Sequence, residues 1–184
     1  ANTSTNTSTG KGESVSSGKA EKASLFDSPQ SFIESLLPHA RKVAAAKGME
    51  PLMLIAQAAL ETGWGQKVIK KSDGSSSHNL FGIKADSRWE GEKAKVQTLE
   101  FKDGVAKKEN AFFRAYNSVE ESVKDYMKFL SSDDRYKEAM NNVKDPSKYF
   151  NALQSAGYAT DPNYANKVVN ILNGKIFAKA VGNE

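Results

Sequence analysis

The stretch Ala56-Gln57-Ala58-Ala59-Leu60-Glu61-Thr62-Gly63-Trp64-Gly65 decides how the rest of this sequence is read. It closes a helical pattern that opens at Pro51 and runs to about Thr62, where Gly63 and Gly65 break it. Leu54, Ala58 and Glu61 stand at i, i+4 and i+7 and share one stripe of that helix. A carboxylate that extends an apolar stripe is costly to bury while charged, so its pKa is expected to rise. A raised carboxyl is what a general acid needs near neutral pH. Trp64 follows at the helix end, where an aromatic ring can floor a cleft. The alternative reading of the same spacing is a helix-end Glu turned to solvent or paired with a Lys.

Working outward, most of the sequence carries helical signals. Ser28-Pro29 is a cap followed by proline at the first helical position, and Gly48 is a stop. Between them Phe32, Leu36, Leu37, Ala40, Val43 and Ala44 recur at helical spacing. Ser118 with Glu121 forms a capping box for a third helix, which carries Val119, Val123, Tyr126, Met127 and Leu130 on one side. Shorter helices are expected at about 133–142 and 146–155, and Asp161-Pro162 opens a last one that ends near Gly174. Lys93 to Phe101 alternates instead, Lys102-Asp103-Gly104 turns, and Val105 to Tyr116 returns. The expected fold is therefore α+β but mainly α: a helical body with a small β-hairpin lobe at about 86–116.

Composition narrows the chemistry. Among 184 residues, 26 Lys and Arg face 22 Asp and Glu, and there is no Cys, which excludes disulfides and zinc–thiolate sites. His39 and His78 are the only histidines and lie in separate elements, so no metal site is expected. The longest strongly apolar run, Leu52 to Leu60, falls far short of the roughly 20 residues that span a membrane. Lysines are interleaved with acids, the pattern of a solvated surface and not of a nucleic-acid stripe. Ser, Thr, Gly and Asn fill 15 of the first 24 positions, so residues 1–24 are expected to be a flexible linker or tail ahead of a domain at 25–184.

A second acid is needed if Glu61 serves glycoside hydrolysis. Glu100 shares a strand face with Val96 and Thr98, and a helix-end acid facing a hairpin carboxylate across a cleft is the arrangement such enzymes use. On spacing alone, the plainer reading of Glu100 is a surface residue of a hairpin rich in lysine (Lys93, Lys95, Lys102, Lys107, Lys108).

The Ala56–Gly65 run, followed by Asn79-Leu80-Phe81-Gly82-Ile83-Lys84, resembles the glucosaminidase-type peptidoglycan hydrolases, glycoside hydrolase family 73. Phe113-Arg114-Ala115-Tyr116, Ser122 to Leu130, and Ala156-Gly157-Tyr158-Ala159-Thr160-Asp161-Pro162-Asn163-Tyr164-Ala165 fit as well, and the likeness is closest to the family's flagellar members. It covers about Ser28 to Gly174. The resemblance implies a lysozyme-like helical domain with a β-lobe across the cleft. It implies cofactor-free hydrolysis of the β-1,4 backbone of bacterial peptidoglycan, chiefly as an endo-β-N-acetylglucosaminidase. Muramidase-type cleavage of the other linkage and a non-catalytic glycan-binding module are the alternatives.

By the same resemblance Glu61 is the general acid, Glu100 the β-lobe carboxylate and Tyr158 the tyrosine of the Tyr-Ala-Thr-Asp-Pro motif. A route through the sugar's own acetamido group is also open, with Tyr158 orienting it. Asp125 aligns with an acidic residue implicated in flagellar homologues and reads equally as structural support. Trp64, Asn79, Phe81, Tyr116 and Tyr164 are candidate glycan contacts, though packing under the cleft also explains the aromatics. The resemblance further implies the periplasm, and a monomer is expected. Flagellar rod proteins would be reached through an N-terminal domain absent from this sequence.

Overall fold

The computed structural model describes residues 22–182, with the side chains of 100–102 and 181–182 outside that description. The chain enters as a short strand β1 (Lys22–Ala23) that pairs antiparallel with β2 (Val68–Ile69), and the Leu25 amide donates to Gly65 O at 2.8 Å. The expected tail thus overlaps the folded body: residues 22–24, assigned to it by composition, are held by backbone pairing that composition does not register.

Helix α1 (Pro29–Ala45) starts on a reciprocal cap, with the Ser28 hydroxyl accepting from Ser31 N and the Ser31 hydroxyl accepting from Ser28 N, both at 3.1 Å. Helix α2 (Pro51–Thr62) follows and is the centre of the molecule. Met53, Leu54, Ile55, Ala56, Gln57, Ala58 and Ala59 are all buried, as a helix apolar on every side requires. It packs between α1 and helix α6 (Tyr164–Leu172). Gly63, Trp64 and Gly65 then adopt φ of 56°, 60° and 80° in succession, a left-handed turn that ends the helix abruptly. A Cβ on Gly65 would lie 2.2 Å from the Phe26 ring, so glycine is required there on packing as well as on φ.

Strands β3 (Lys93–Lys102) and β4 (Val105–Arg114) form the expected hairpin, closed by Asp103-Gly104 with φ of 54° and 76°, the positive values of a type I′ turn. Ala94 and Val96 are buried on one face, while Leu99 and Phe112 are exposed on the other. At its base the hairpin is stitched to the 82–85 loop by Arg114 N to Ile83 O at 3.0 Å and Ala85 N to Phe112 O at 2.9 Å.

Helix α3 (Val119–Ser132) buries Val123, Tyr126, Met127 and Leu130 as expected. Its capping box forms only in part: Ser118 Oγ accepts from Glu121 N, but the Glu121 carboxylate accepts from Asn117 N at 2.8 Å. The single helix expected at 133–142 divides into a 3₁₀ turn, Asp134–Tyr136, and α4 (Lys137–Met140). Helix α5 (Pro146–Ser155) matches the expected range. Gly174 separates α6 from α7 (Lys175–Gly182), a helix the sequence reading did not anticipate. Phe177 of α7 is buried against Trp64, with ring centroids 5.4 Å apart, so tertiary packing supplies what a short segment lacks by itself. Among the described residues no helix is long and apolar enough to cross a membrane.

Candidate active site

Glu61 occupies the last turn of α2, two residues before the left-handed break, so its carboxyl emerges at the base of a cleft of about 530 Å³. Gly82, Ile83, Lys84, Asp86 and Arg88 form one wall; Phe129, Arg135, Tyr136 and the Gly157–Thr160 segment complete it. Burial pushes the Glu61 carboxyl up from 4.5 to about 7, against the opposing effects of a hydrogen bond from Tyr164 and the charge of Lys22. Tyr164 OH donates to Glu61 Oε1 at 2.9 Å and accepts from Gln57 Nε2 at 2.9 Å. The second oxygen, Oε2, lies against Gly82, where a Cβ would come within 2.9 Å of it.

Tyr158 lines the same cleft. Its hydroxyl donates to Phe81 O at 2.5 Å, and burial holds the phenol well above its ordinary range, so it is neutral. The rings of Tyr136 and Tyr164 stand 6.0 and 5.8 Å from it.

Glu100 lies in β3, paired with Lys107. The register puts it on the face of Ala94 and Val96, and its side chain lies outside the described residues.

The remaining candidates are placed behind the cleft and not in its wall. Asn79, 3% exposed, donates from Nδ2 to Ile83 O and Arg114 O and accepts at Oδ1 from Phe81 N and Ile83 N. Every polar group of that amide is committed to shaping the 79–83 loop. Phe81 is stacked on Tyr126 with centroids 4.1 Å apart, and Trp64 packs on Phe32 and Phe177. Tyr116 OH donates to Asp125 Oδ2 at 2.5 Å, and Arg114 Nη1 reaches the same oxygen at 3.1 Å. Asp125 therefore ties α3 to the hairpin base. Tyr164, expected as a glycan contact, holds Glu61 instead.

Sequence reasoning missed the cationic wall. Arg88 bonds to Asp86 and crosses to Asp133 Oδ2 at 3.3 Å, Arg135 lies 4.7 Å over the Tyr136 ring, and Arg114 sits between the Trp89 and Phe129 rings. Those hydrogen bonds from Arg88 hold the Asp86 carboxyl down at about 2. The available signal was two short Asp–Arg pairs in separate loops, and nothing local indicates that they meet. Gln57 was missed too, although a lone amide within an apolar helix was its signal. Among the described residues no cluster of three or more His, Asp or Glu side chains is placed to hold a metal ion.

A family model described as glucosaminidase, mannosyl-glycoprotein endo-β-N-acetylglucosaminidase, matches residues 37–175. The chain belongs to this glucosaminidase family. Membership agrees with the resemblance carried by the Glu61 and Asn79 motifs. The peptidoglycan hydrolase FlgJ of Vibrio parahaemolyticus is 48% identical over 161 residues, covering 85% of this chain and 52% of that protein. The peptidoglycan hydrolase FlgJ of Pseudomonas aeruginosa is 50% identical over 152 residues, covering 83% of this chain and 38% of that one. The chain therefore spans about half or less of these curated relatives' length.

Among solved structures, a mutant peptidoglycan hydrolase from Sphingomonas sp. A1 matches with a TM-score of 0.74 at 39% identity, covering 84% of this chain and 99% of that one. A C-terminally truncated glycoside hydrolase domain of Salmonella typhimurium FlgJ matches at 0.67 and 38%, covering 83% and 99%. The mainly helical body with its small hairpin is thus shared with peptidoglycan hydrolase structures.

Proposed function

We propose that this chain hydrolyses the β-1,4-glycosidic backbone of bacterial peptidoglycan as an endo-β-N-acetylglucosaminidase, with Glu61 as proton donor. The observation that carries the reading is the Glu61 carboxyl, at the base of a cleft and raised by burial to about 7, with one oxygen turned toward Gly82 and the cleft. At neutral pH a large share of such a group is protonated. Its proton passes to the glycosidic oxygen as the C–O bond breaks, the leaving sugar departs with that oxygen as a hydroxyl, and positive charge develops on the anomeric carbon left behind.

That charge is met in one of two ways. Glu100, paired with Lys107 in the hairpin, would act as base for the attacking water or as a stabiliser of the cation. In the other route the sugar's acetamido oxygen attacks from within, and Tyr158 on the cleft wall orients it. The position of the hairpin at the edge of the body suits closure over bound glycan.

Action on peptidoglycan supports a working enzyme outside the cytoplasm, and the likeness to the FlgJ relatives supports the periplasm. There it would open the wall for assembly of the flagellar rod.

Digestion of purified peptidoglycan, borohydride reduction and mass spectrometry of the fragments test this reading, with Glu61→Gln run alongside. Reduced N-acetylglucosamine ends that vanish with the variant are the expected result. Reduced muramic ends would move the cut to the other linkage. The absence of new ends from the wild type would leave a glycan-binding module.

A further inference from the structure

Behind Glu61 the core contains an uninterrupted run of polar groups. Gln57, Tyr126 and Tyr149 are fully buried and Tyr164 is 3% exposed. Tyr149 OH meets Tyr126 OH, Tyr126 OH donates to Gln57 Oε1, Gln57 Nε2 donates to Tyr164 OH, and Tyr164 OH donates to Glu61 Oε1. The four residues come from α5, α3, α2 and α6, so the run crosses four helices.

We propose that this Tyr149–Tyr126–Gln57–Tyr164 chain is a one-way hydrogen-bond relay that commits Glu61 Oε1 to accepting from Tyr164 and leaves Oε2, against Gly82, as the oxygen carrying the transferable proton. It rests on Glu61 being the proton donor.

Direction follows from proton counting. Each phenol has one proton to give, and the amide has a donor end and an acceptor end. With Gln57 Oε1 toward Tyr126, each donor finds an acceptor, from Tyr149 to the carboxyl. Reversing the amide would turn every bond around and leave the Tyr149 proton needing a further acceptor, and among the described residues the Tyr149 hydroxyl bonds only to Tyr126. The amide therefore sets the direction, and Tyr164 has no freedom to accept a proton from Glu61.

The arrangement suits a proton donor. A carboxyl poised to donate needs its proton on the oxygen that faces substrate. Once the proton has left, the new carboxylate is met by a donor that is already aligned and needs no reorganisation. Tyr164 thus lowers the barrier by stabilising the ionised product form, while burial keeps the resting form protonated. The charged and titratable groups facing Glu61 are Lys22 from β1, Tyr158 from the α5–α6 connection and Tyr164 from α6. Lys84, Asp86, Arg88 and Arg135 line the cleft beyond it. Of these, only Tyr164 donates a hydrogen bond to the carboxyl. Tyr164 and Gln57 are positioning residues, and neither hydroxyl nor amide belongs to the cleft wall.

The test is the pH dependence of kcat and KM on a soluble peptidoglycan fragment, for wild type, Tyr164→Phe, Gln57→Met and Glu61→Gln. Activity requires protonated Glu61, so it falls as pH rises through that group's pKa. Removing the Tyr164 donor destabilises the carboxylate, so the alkaline limb of kcat moves up by about one pH unit, the scale of a hydrogen bond to a charged group. The kcat plateau drops about tenfold, and KM stays within about twofold. Gln57→Met shifts the limb in the same direction, because Tyr164 loses the partner that orients it, and it carries the test if Tyr164→Phe does not fold. An alkaline limb unmoved in a folded variant, or a loss expressed in KM alone, would overturn the relay while Glu61→Gln remains inactive. A Glu61→Gln enzyme with wild-type rate would overturn the proton donor itself, and the relay with it.

Discussion

Gly82 and Glu61, distant in sequence, are in contact: a Cβ at position 82 would lie 2.9 Å from Glu61 Oε2, and Gly82 holds φ at +67°. The glycine thus does two things at once. It permits the left-handed backbone of the 79–83 loop, and it leaves room for the carboxyl oxygen that faces the cleft.

Gly82→Ala should therefore damage activity more than stability. The expected outcome is a loss of about tenfold or more in kcat, with about 1–2 kcal/mol lost from folding through the positive φ. Hydrolysis of soluble glycan and thermal melting of the same sample check both parts. A variant that melts normally and works at full rate would show that Oε2 tolerates displacement.

Burial of Glu61 also gives a stability signature. The unfolded carboxyl titrates near 4.5 and the folded one near 7, so between those values the folded chain holds a proton that the unfolded chain has released. Stability from this group falls as pH rises through that window, and the full penalty, up to about 3 kcal/mol, is present above it. Glu61→Gln, which cannot ionise, should melt higher than wild type at pH 8 and nearly level with it at pH 4. Equal melting temperatures at pH 8 would mean that the carboxyl is better solvated than its surroundings indicate.

Asp125 should behave as a structural residue. It neutralises Arg114, 6% exposed, and accepts from Tyr116, joining α3 to the base of the hairpin. Asp125→Ala leaves a buried guanidinium with the Asp86 carboxylate only at 4.0 Å. The expected cost is about 3 kcal/mol, with activity falling in step with the folded fraction. An inactive Asp125→Ala protein of unchanged melting temperature would place this carboxylate in the reaction instead.

Trp64 separates packing from glycan contact in the same way. Its ring fills the space between Phe32 and Phe177. Trp64→Ala is expected to cost about 3 kcal/mol by leaving a cavity between α1 and α7. KM for glycan measured well below the melting temperature should stay unchanged, and a raised KM would return the indole to the cleft.

Where α1 and α3 begin, α2 ends and the hairpin turns was readable because those boundaries are local chemistry. Ser28 before Pro29, Ser118 with the Glu121 amide, Gly63 after Thr62 and Asp103-Gly104 in the hairpin all act within four residues of themselves. Hydrophobic spacing likewise identified Phe32, Leu36, Val123 and Tyr126 as core. Helix α7 and the β1–β2 pair were not readable, since each depends on a partner far along the chain: Trp64 for Phe177, Val68 for Ala23. The same divide runs through the site. Glu61 could be named from a stripe and a motif, whereas Tyr164, 103 residues away, looked like a glycan contact until α6 was seen lying against α2.

By itself, then, the sequence determined that a carboxyl would stand at the end of a buried helix, beside a glycine turn. Periodicity and capping act over a few residues and need no knowledge of the rest. Only the tertiary structure decided what surrounds that carboxyl: Gly82 against one oxygen, Tyr164 on the other, Trp64 and Phe81 turned into the core, and arginines from two loops across the cleft. Burial and hydrogen-bond direction are properties of neighbours brought together by packing, and packing depends on the whole chain at once.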